Sequence, residues 1–595
     1  LRKVFYDFEV FSKSIDPVTG RSFWLVVLID YDSQKGKVII NDVNELKKYY
    51  NYFKNDVFIG YNSRMYDQYI FKGLLLGMDA GYINDKLINE GRKGHEVVRD
   101  AFKIPFNNFD VTTGFHSLKQ LEAFMGSRIK ESSVPFDIER PLTKNEIKET
   151  VDYCIHDVKE TINVFDNRIE EFESQLALIE AFDLDMKQFN KTKAQLSAFI
   201  IGAEKKPDRK DEFNLCFPDT LQVEKYKDIV EWYKNPENMD YKQKLKVEVA
   251  GVPHIFAWGG IHGAIPKYKD EGIILCADVA SLYPSLMIEY GYISRNVREP
   301  SKFKEIRDKR LELKKQKDPR QLPMKIVINA NYGAMKDKFN PLYDPLMSNN
   351  VCLAGQLLLL DLIEKLEPYC KLVQSNTDGV FLKVEKESDI KIIKEVAAEW
   401  EHRTRLDLEW EVFNKIYQKD VNNYIIIDEN GKYKSKGAYV KKLTNLDYDL
   451  PIVNKALINY FTKDIPLEQT INECDELREF QKVVKISSKY EYGTHGDEKV
   501  KEKVLRVFAD NRDTSQGVFK HKWKTNKEGE TNLVAEKIGN TPEKCFIDNG
   551  DIQGKLIPDY LDKQYYIDLA QKRLNDFLGI KAPRKKKVKE KTDVK

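Results

Sequence analysis

The chain has 595 residues, 42% hydrophobic and 32% charged, enough for several buried cores beneath a highly charged surface. Lys+Arg 97 against Asp+Glu 95 leave a net charge of +2, which excludes a uniformly basic polyanion binder, so any basic surface is local. Seven cysteines stand singly with no CxxC pair, which argues against a zinc module and for reduced thiols in a cytoplasmic protein.

Residues 1–165 alternate strand-like runs ("VFYDFEVF", "FWLVVLIDY", "DVFIGY") with helical ones and predict an α/β domain. The opening stretch, "LRKVFYDFEVF", has no signal-peptide core. "YDFEV" sets Asp7 and Glu9 two apart on a strand, hence on one face. "IGYNSRMYDQ" supplies Asp67 after an apolar strand, and "VDYCIHDV" supplies Tyr153 and Asp157 one helical turn apart. Four acids from three elements suit two divalent ions and metal-assisted phosphodiester cleavage, with Tyr153 placed to orient water. His116 and His156 lie nearby and read as structural residues.

Residues 166–250 predict a mostly helical connector, interrupted by the polar "EKKPDRKDE". A glycine-rich stretch, "PHIFAWGGIHGAIP", opens residues 251–300, and the apolar strand "GIILCADV" there ends in Asp278. Residues 301–333 hold a basic helix and "KIVINANYG", whose Lys325, Asn329, Tyr332 and Gly333 have offsets of 0, 4, 7 and 8 and share one helical face. In residues 334–449 the run "CLAGQLLLLDLI" is broken by Gln356 and Asp361, short of the roughly 18 residues of a spanning segment, so no membrane association is expected. "KLVQSNTDGVFLKV" reads as two strands joined by an Asn-Thr-Asp-Gly turn that carries Asp378. Residues 450–580 are mixed, and 581–595 form a basic tail.

The order of these patterns is identified as that of a family B DNA polymerase. Asp7-Phe8-Glu9, Asn62-xxx-Tyr66-Asp67 and Tyr153-xxx-Asp157 resemble the three exonuclease motifs, and "SLKQL" from Ser117 a single-strand-binding motif of the same domain. "ADVASLYPS" and "SNTDGV" resemble the first and third polymerase motifs. The resemblance implies a multidomain α/β and α+β fold. An RNase H-like exonuclease domain would precede a right hand with palm (251–300 and 334–449), fingers (301–333) and thumb (450–580).

It further implies that Asp278 and Asp378, with the neighbouring Val279, bind two Mg²⁺ or Mn²⁺ ions, and that Asp7, Glu9, Asp67 and Asp157 bind a second pair. Ser281, Leu282 and Tyr283 would meet the nucleotide, with Tyr283 as a steric gate against ribose. Backbone N–H groups after Asp278 would cradle phosphate. Arg310, Lys314, Lys325 and Asn329 would contact the triphosphate. Tyr332, Gly333, Tyr424, Lys436 and Gly437 would contact DNA, and Asn62, Tyr66, Ser117 and Leu118 the single-stranded primer end. Lys130 is the candidate for a lysine that aids hydrolysis in phage relatives. Trp258-Gly259-Gly260 stands where relatives carry a Tyr-Gly linker motif.

The chain departs from the pattern at Asn376, where an aspartate is usual, and at Asn422 and Asn423, where lysines are usual. The intervals from Asp278 to Lys325 (325 − 278 = 47 residues) and from Tyr332 to Asp378 (378 − 332 = 46 residues) leave no room for the insertions of protein-primed phage relatives. The expectation is a minimal, monomeric phage polymerase working in the cytoplasm of an infected bacterium. It would take dNTP and primer-template DNA, with a phage helicase or single-strand-binding protein as candidate partners. The alternative readings are a 3′→5′ exonuclease with a degenerate polymerase module, or a DNA-binding scaffold.

Overall fold

The computed structural model describes residues 1–112, 114–526 and 529–580. The basic tail 581–595 lies outside the described residues. The architecture is mixed α/β with four sheets.

In the N-terminal domain β1 (Lys3–Ile15), β2 (Ser22–Asp30), β3 (Gly36–Ile40), β4 (Val57–Gly60) and β5 (Asn107–Asp110) form a sheet of order β3-β2-β1-β4-β5. β4 runs parallel to both β1 and β5. Strand alternation along β1 sends Val4, Tyr6, Phe8 and Val10 into one apolar cluster, while Phe5 and Phe11 enter another. Helix α1 (Asp67–Leu75) contributes Phe71 to the first cluster, and α3 (Lys144–Asp166) contributes Val158 and Phe165 to the second. Between them in sequence lies α2 (Leu118–Met125). Thr143 and Glu146 form a reciprocal capping box that fixes the start of α3.

The connector carries α4 (Ile169–Ala181) and α5 (Lys193–Ile200). A nine-stranded sheet follows, assembled from β6 (Lys244–Val249), β7 (Val252–Ala257), β8 (His262–Ala264), β9 (Tyr268–Val279), β10 (Lys371–Asn376), β11 (Gly379–Val384), β12 (Leu408–Asp420), β13 (Asn423–Ile427) and β14 (Tyr433–Lys436). Its order is β14-β13-β12-β9-β11-β10-β8-β7-β6. The sheet starts at Lys244, inside the stretch expected as connector, because β6 forms a hairpin with β7 across the Ala250-Gly251 turn. Between β9 and β10 the chain runs through α6 (Leu282–Glu289), α7 (Ser301–Lys315), α8 (Gln321–Lys336) and α9 (Pro345–Leu366). Helix α8 packs against α7 and α5. Helix α9 alone among the described residues is long and apolar enough to cross a bilayer, but 94% of that window is buried, which makes it a core helix.

The C-terminal region holds helices α10 (Pro451–Lys463) and α11 (Lys563–Leu578) and two small sheets. One joins β15 (Lys482–Lys485), β18 (Val504–Ala509) and β21 (Cys545–Ile547). The other has the order β17-β16-β19-β20, from β16 (Tyr492–His495), β17 (Glu498–Val500), β19 (Val518–Thr525) and β20 (Thr531–Lys537). This region grips the C-terminal end of α2. Arg478 Nη2 and Gln481 Nε2 donate to the Phe124 carbonyl at 2.8 and 3.2 Å, and the fully buried Arg506 donates to the Ser127 carbonyl at 2.7 Å. The Ile552 and Ile129 amides bond across the same seam to Gly126 and Asn549 carbonyls.

Candidate active sites

Two acid clusters emerge, one on each of the larger sheets. In the first, β1 presents Asp7 and Glu9, the start of α1 presents Asp67, and α3 presents Asp157. All four line a cleft of about 760 Å³ together with Asn62 and Tyr66. The Phe8 amide donates to Asp67 Oδ1 at 3.2 Å, tying α1 to β1. Burial pushes every one of these carboxyls up, Asp67 to about 7, and Asp7 and Glu9 are raised further by their acidic neighbours. Four clustered acids, of which Glu9, Asp67 and Asp157 are buried and Asp7 half-buried, form a ligand set that suits divalent cations. Asp7, Glu9 and Cys154 bring ligand atoms within 4.8 Å of one another, as do Glu122, His156 and Asp157. Tyr153 lies against Lys119, whose ammonium stands 4.8 Å from the ring centre. Tyr66 is anchored by a 2.7 Å bond from its hydroxyl to Asn84, and Asn62 takes a left-handed backbone (φ 56°) at the loop's turn.

Two expectations change here. Lys130 does not reach the acids; its ammonium donates to the Asp152 carbonyl at 3.1 Å. The lysine in the site is Lys119, 2.5 Å from Asp157 Oδ1 and 2.9 Å from Glu122 Oε1. Burial alone would lower the Lys119 pKa, but Asp157 and Glu122 outweigh it and hold the ammonium charged. Sequence reading missed Lys119 because a lysine beside "SL" carries no signal until the i, i+3 spacing to Glu122 is set against α3. Ser117 and Leu118 start the same helix and stand outside the cleft lining.

The second cluster forms where β9 and β11 pair antiparallel, with Asp278 opposite Gly379. The Thr377-Asp378 turn folds back so that the Asp378 carbonyl accepts the Val279 N–H at 2.7 Å. Asp278 and Asp378, a hundred positions apart (378 − 278 = 100), therefore lie on adjoining backbone at one end of the nine-stranded sheet. Partial desolvation raises both carboxyls, although Asp378 is exposed and Asp278 only half-buried, and Asp378 raises Asp278 further. Cys276 and Glu411 complete a group of ligand atoms with Asp278, all within 4.8 Å. Glu411 was not singled out in the sequence; it emerges only from the register of β12 on β9, where it lies opposite Cys276.

Asn376 lies in register with Gly379 and so, two strands from Asp278, on the same face of the sheet; its Oδ1 bonds His262 Nδ1 on the neighbouring strand at 3.0 Å. The N–H groups of Val279 and Ala280 are already bonded, to Asp378 and Asp407 carbonyls, and cannot cradle an anion as expected. Ser281, exposed and left-handed (φ 51°), stands at the start of α6 without a side-chain capping bond, and Leu282 is buried. Tyr283 packs on Tyr332 of α8 with ring centres 4.1 Å apart and planes tilted by 39°.

Along α8, Lys325, Asn329 and Gly333 are exposed and Tyr332 half-buried, while Val327, Ile328 and Asn331 face inward. On α7, Arg310 is buried with its Nε unbonded among the described residues. Lys314 lies 3.8 Å from Glu409, the residue opposite Asp278 on β12. Tyr424 of β13 packs its ring on Phe381 of β11 at 5.2 Å and pairs across strands with Lys436 of β14. Gly437 follows with φ 103°, in close approach to Asn423. Trp258 is buried and bonds the Asn238 carbonyl, and a Cβ on Gly260 would touch Thr377 of the acid-bearing turn.

No family model and no curated protein matches the chain. Among solved structures, it overlays on the family B DNA polymerase from the hyperthermophilic archaeon Pyrobaculum calidifontis. That overlay has a TM-score of 0.43 at 13% identity, over 98% of this chain and 79% of the other.

Proposed function

We propose that the chain is a template-directed DNA polymerase of the family B type with a 3′→5′ proofreading exonuclease, encoded by a bacteriophage. The observation that carries the reading is the pairing of β9 with β11, which sets Asp278 and Asp378 on adjoining backbone tied by the Val279 N–H to Asp378 carbonyl bond. Mg²⁺, or Mn²⁺, held by these two acids would activate the primer 3′-hydroxyl and neutralise charge on the triphosphate. Arg310, buried with an unbonded Nε, supplies a cation in want of an anion, and Lys314, Lys325 and Asn329 extend that surface along two adjacent helices. Tyr283 presents a flat ring fixed by Tyr332, which supports a role in excluding a 2′-hydroxyl. Tyr424, Lys436 and Gly437 suit the primer duplex, contacted through phosphates and so without sequence preference.

In the N-terminal cleft Asp7, Glu9, Asp67 and Asp157 would hold the second ion pair. Lys119 steadies Asp157 there, Tyr153 orients water, and Asn62 and Tyr66 on the cleft wall engage the single-stranded 3′ end, with Ser117 and Leu118 meeting it outside the lining at the start of α2. Primer extension with dNTP and Mg²⁺ tests the reading. Asp278→Ala should abolish extension and spare digestion of single strands, and Asp7→Ala should do the reverse. Normal extension by Asp278→Ala would refute it.

A further inference from the structure

The four-stranded sheet of the C-terminal region has two unlike faces. Val500 and Val518 point inward onto the cluster of Ile486, Tyr490 and Ile538. Both carboxylates of the four strands lie on this inner side: Glu536 is opposite Lys520, and Glu498 is opposite His495. Lys522 and Lys524 are neutralised there by Glu536 at 3.1 and 2.7 Å. The four strands place no acid on the outer face, whose edge lysine, Lys537, is paired with Glu543 from beyond β20. On it Tyr492 and His521, directly opposite in register, stack with ring centres 4.7 Å apart and planes 17° apart. Lys499 sits 4.7 Å over the Tyr492 ring and has no carboxylate partner among the described residues. Two residues further along β19, Trp523 is 57% exposed, paired across the strand with the exposed Leu533, and touches no other ring among the described residues.

We propose that this outer face is a binding platform for single-stranded DNA, separate from both acid clusters. Flat rings in a row, without acids and with one uncommitted ammonium, match exposed bases and a phosphate chain. A duplex hides its base faces, and an acidic peptide offers no rings to stack. The choice of DNA over RNA rests on the function proposed above.

The test uses the full chain carrying Asp7→Ala, in buffer free of divalent cations, with fluorescein-labelled dT12 followed by anisotropy. Trp523→Ala should weaken binding by about fivefold to 100-fold. Lys499→Glu should weaken it and flatten its salt dependence, and Trp523→Phe should stay within about twofold of the parent. A blunt hairpin duplex should bind all variants alike. Bromouracil-substituted dT12 should photocrosslink to peptides containing Tyr492 or Trp523. The proposal is overturned if Trp523→Ala binds dT12 as the parent does, if rU12 binds more tightly than dT12, or if crosslinks map only outside β16–β20. Trp523-dependent binding in a protein that extends no primer would sink the polymerase reading and leave this platform standing.

Discussion

Gly379→Ala is the sharpest probe of the paired acids. A Cβ built on Gly379 falls 1.9 Å from Asp278 Oδ1 and 3.0 Å from the Ala277 carbonyl. Real Cβ contacts stay beyond about 3.0 Å, so the carboxylate must retreat by roughly 1.1 Å, whereas the backbone is only tight. Because the atom displaced is the end of a side chain, the loss of stability should stay within the about 1–3 kcal/mol of an overpacked methyl group. Metal ligands tolerate about 0.2 Å, and a misplacement near 1 Å costs about 100-fold in rate. The expected phenotype is therefore a folded protein whose primer extension falls about 100-fold while its digestion of single strands is unchanged. Gly333→Ala, where a Cβ meets nothing within 4 Å, is the steric control for stability. Parental extension by Gly379→Ala would show that Asp278 does not need its present position, and the metal-site reasoning would fail.

Lys119→Met should cut single-strand digestion about 100-fold. It should also destabilise the protein by about 3–5 kcal/mol, since it leaves the fully buried Glu122 without its cation; Lys130→Met should do neither, as read by nuclease assay and urea unfolding. Because burial and mutual repulsion raise the pKa values of Asp7, Glu9, Asp67 and Asp157, the neutral forms are favoured in the folded, metal-free protein. Its stability should then fall as pH rises from the ordinary carboxylate range through about 7, the value reached by Asp67. Added Mg²⁺ should reverse that loss, which thermal melts at pH 5 and 8 would show. Tyr283→Ala should raise ribonucleotide incorporation at least about tenfold in single-nucleotide extension, since it removes the ring that Tyr332 fixes.

Much of the architecture was legible because alternation and helical spacing are local. Asp7 and Glu9 share a strand face in the sequence as they do in β1, and the Lys325-to-Gly333 offsets describe the exposed side of α8. What stayed hidden depends on register and docking. Glu411 joins Asp278 only because β12 lies on β9 in one particular alignment, and Lys119 reaches Asp157 only once α2 has docked on α3. The two C-terminal sheets also escaped, since their strands are short and separated by polar turns that read as loop.

The seam at the end of α2 has a consequence for anyone who would cut this chain into parts. The carbonyls of Phe124, Gly126 and Ser127 are satisfied by Arg478, Ile552 and Arg506, residues more than 350 positions downstream. A fragment ending after the first domain would leave those acceptors without their donors and loosen the very helix that carries Lys119. Beginning and end of the polypeptide are thus a single mechanical unit, and a nuclease half produced by truncation should be a poorer enzyme than the intact chain with its other centre silenced by a point substitution.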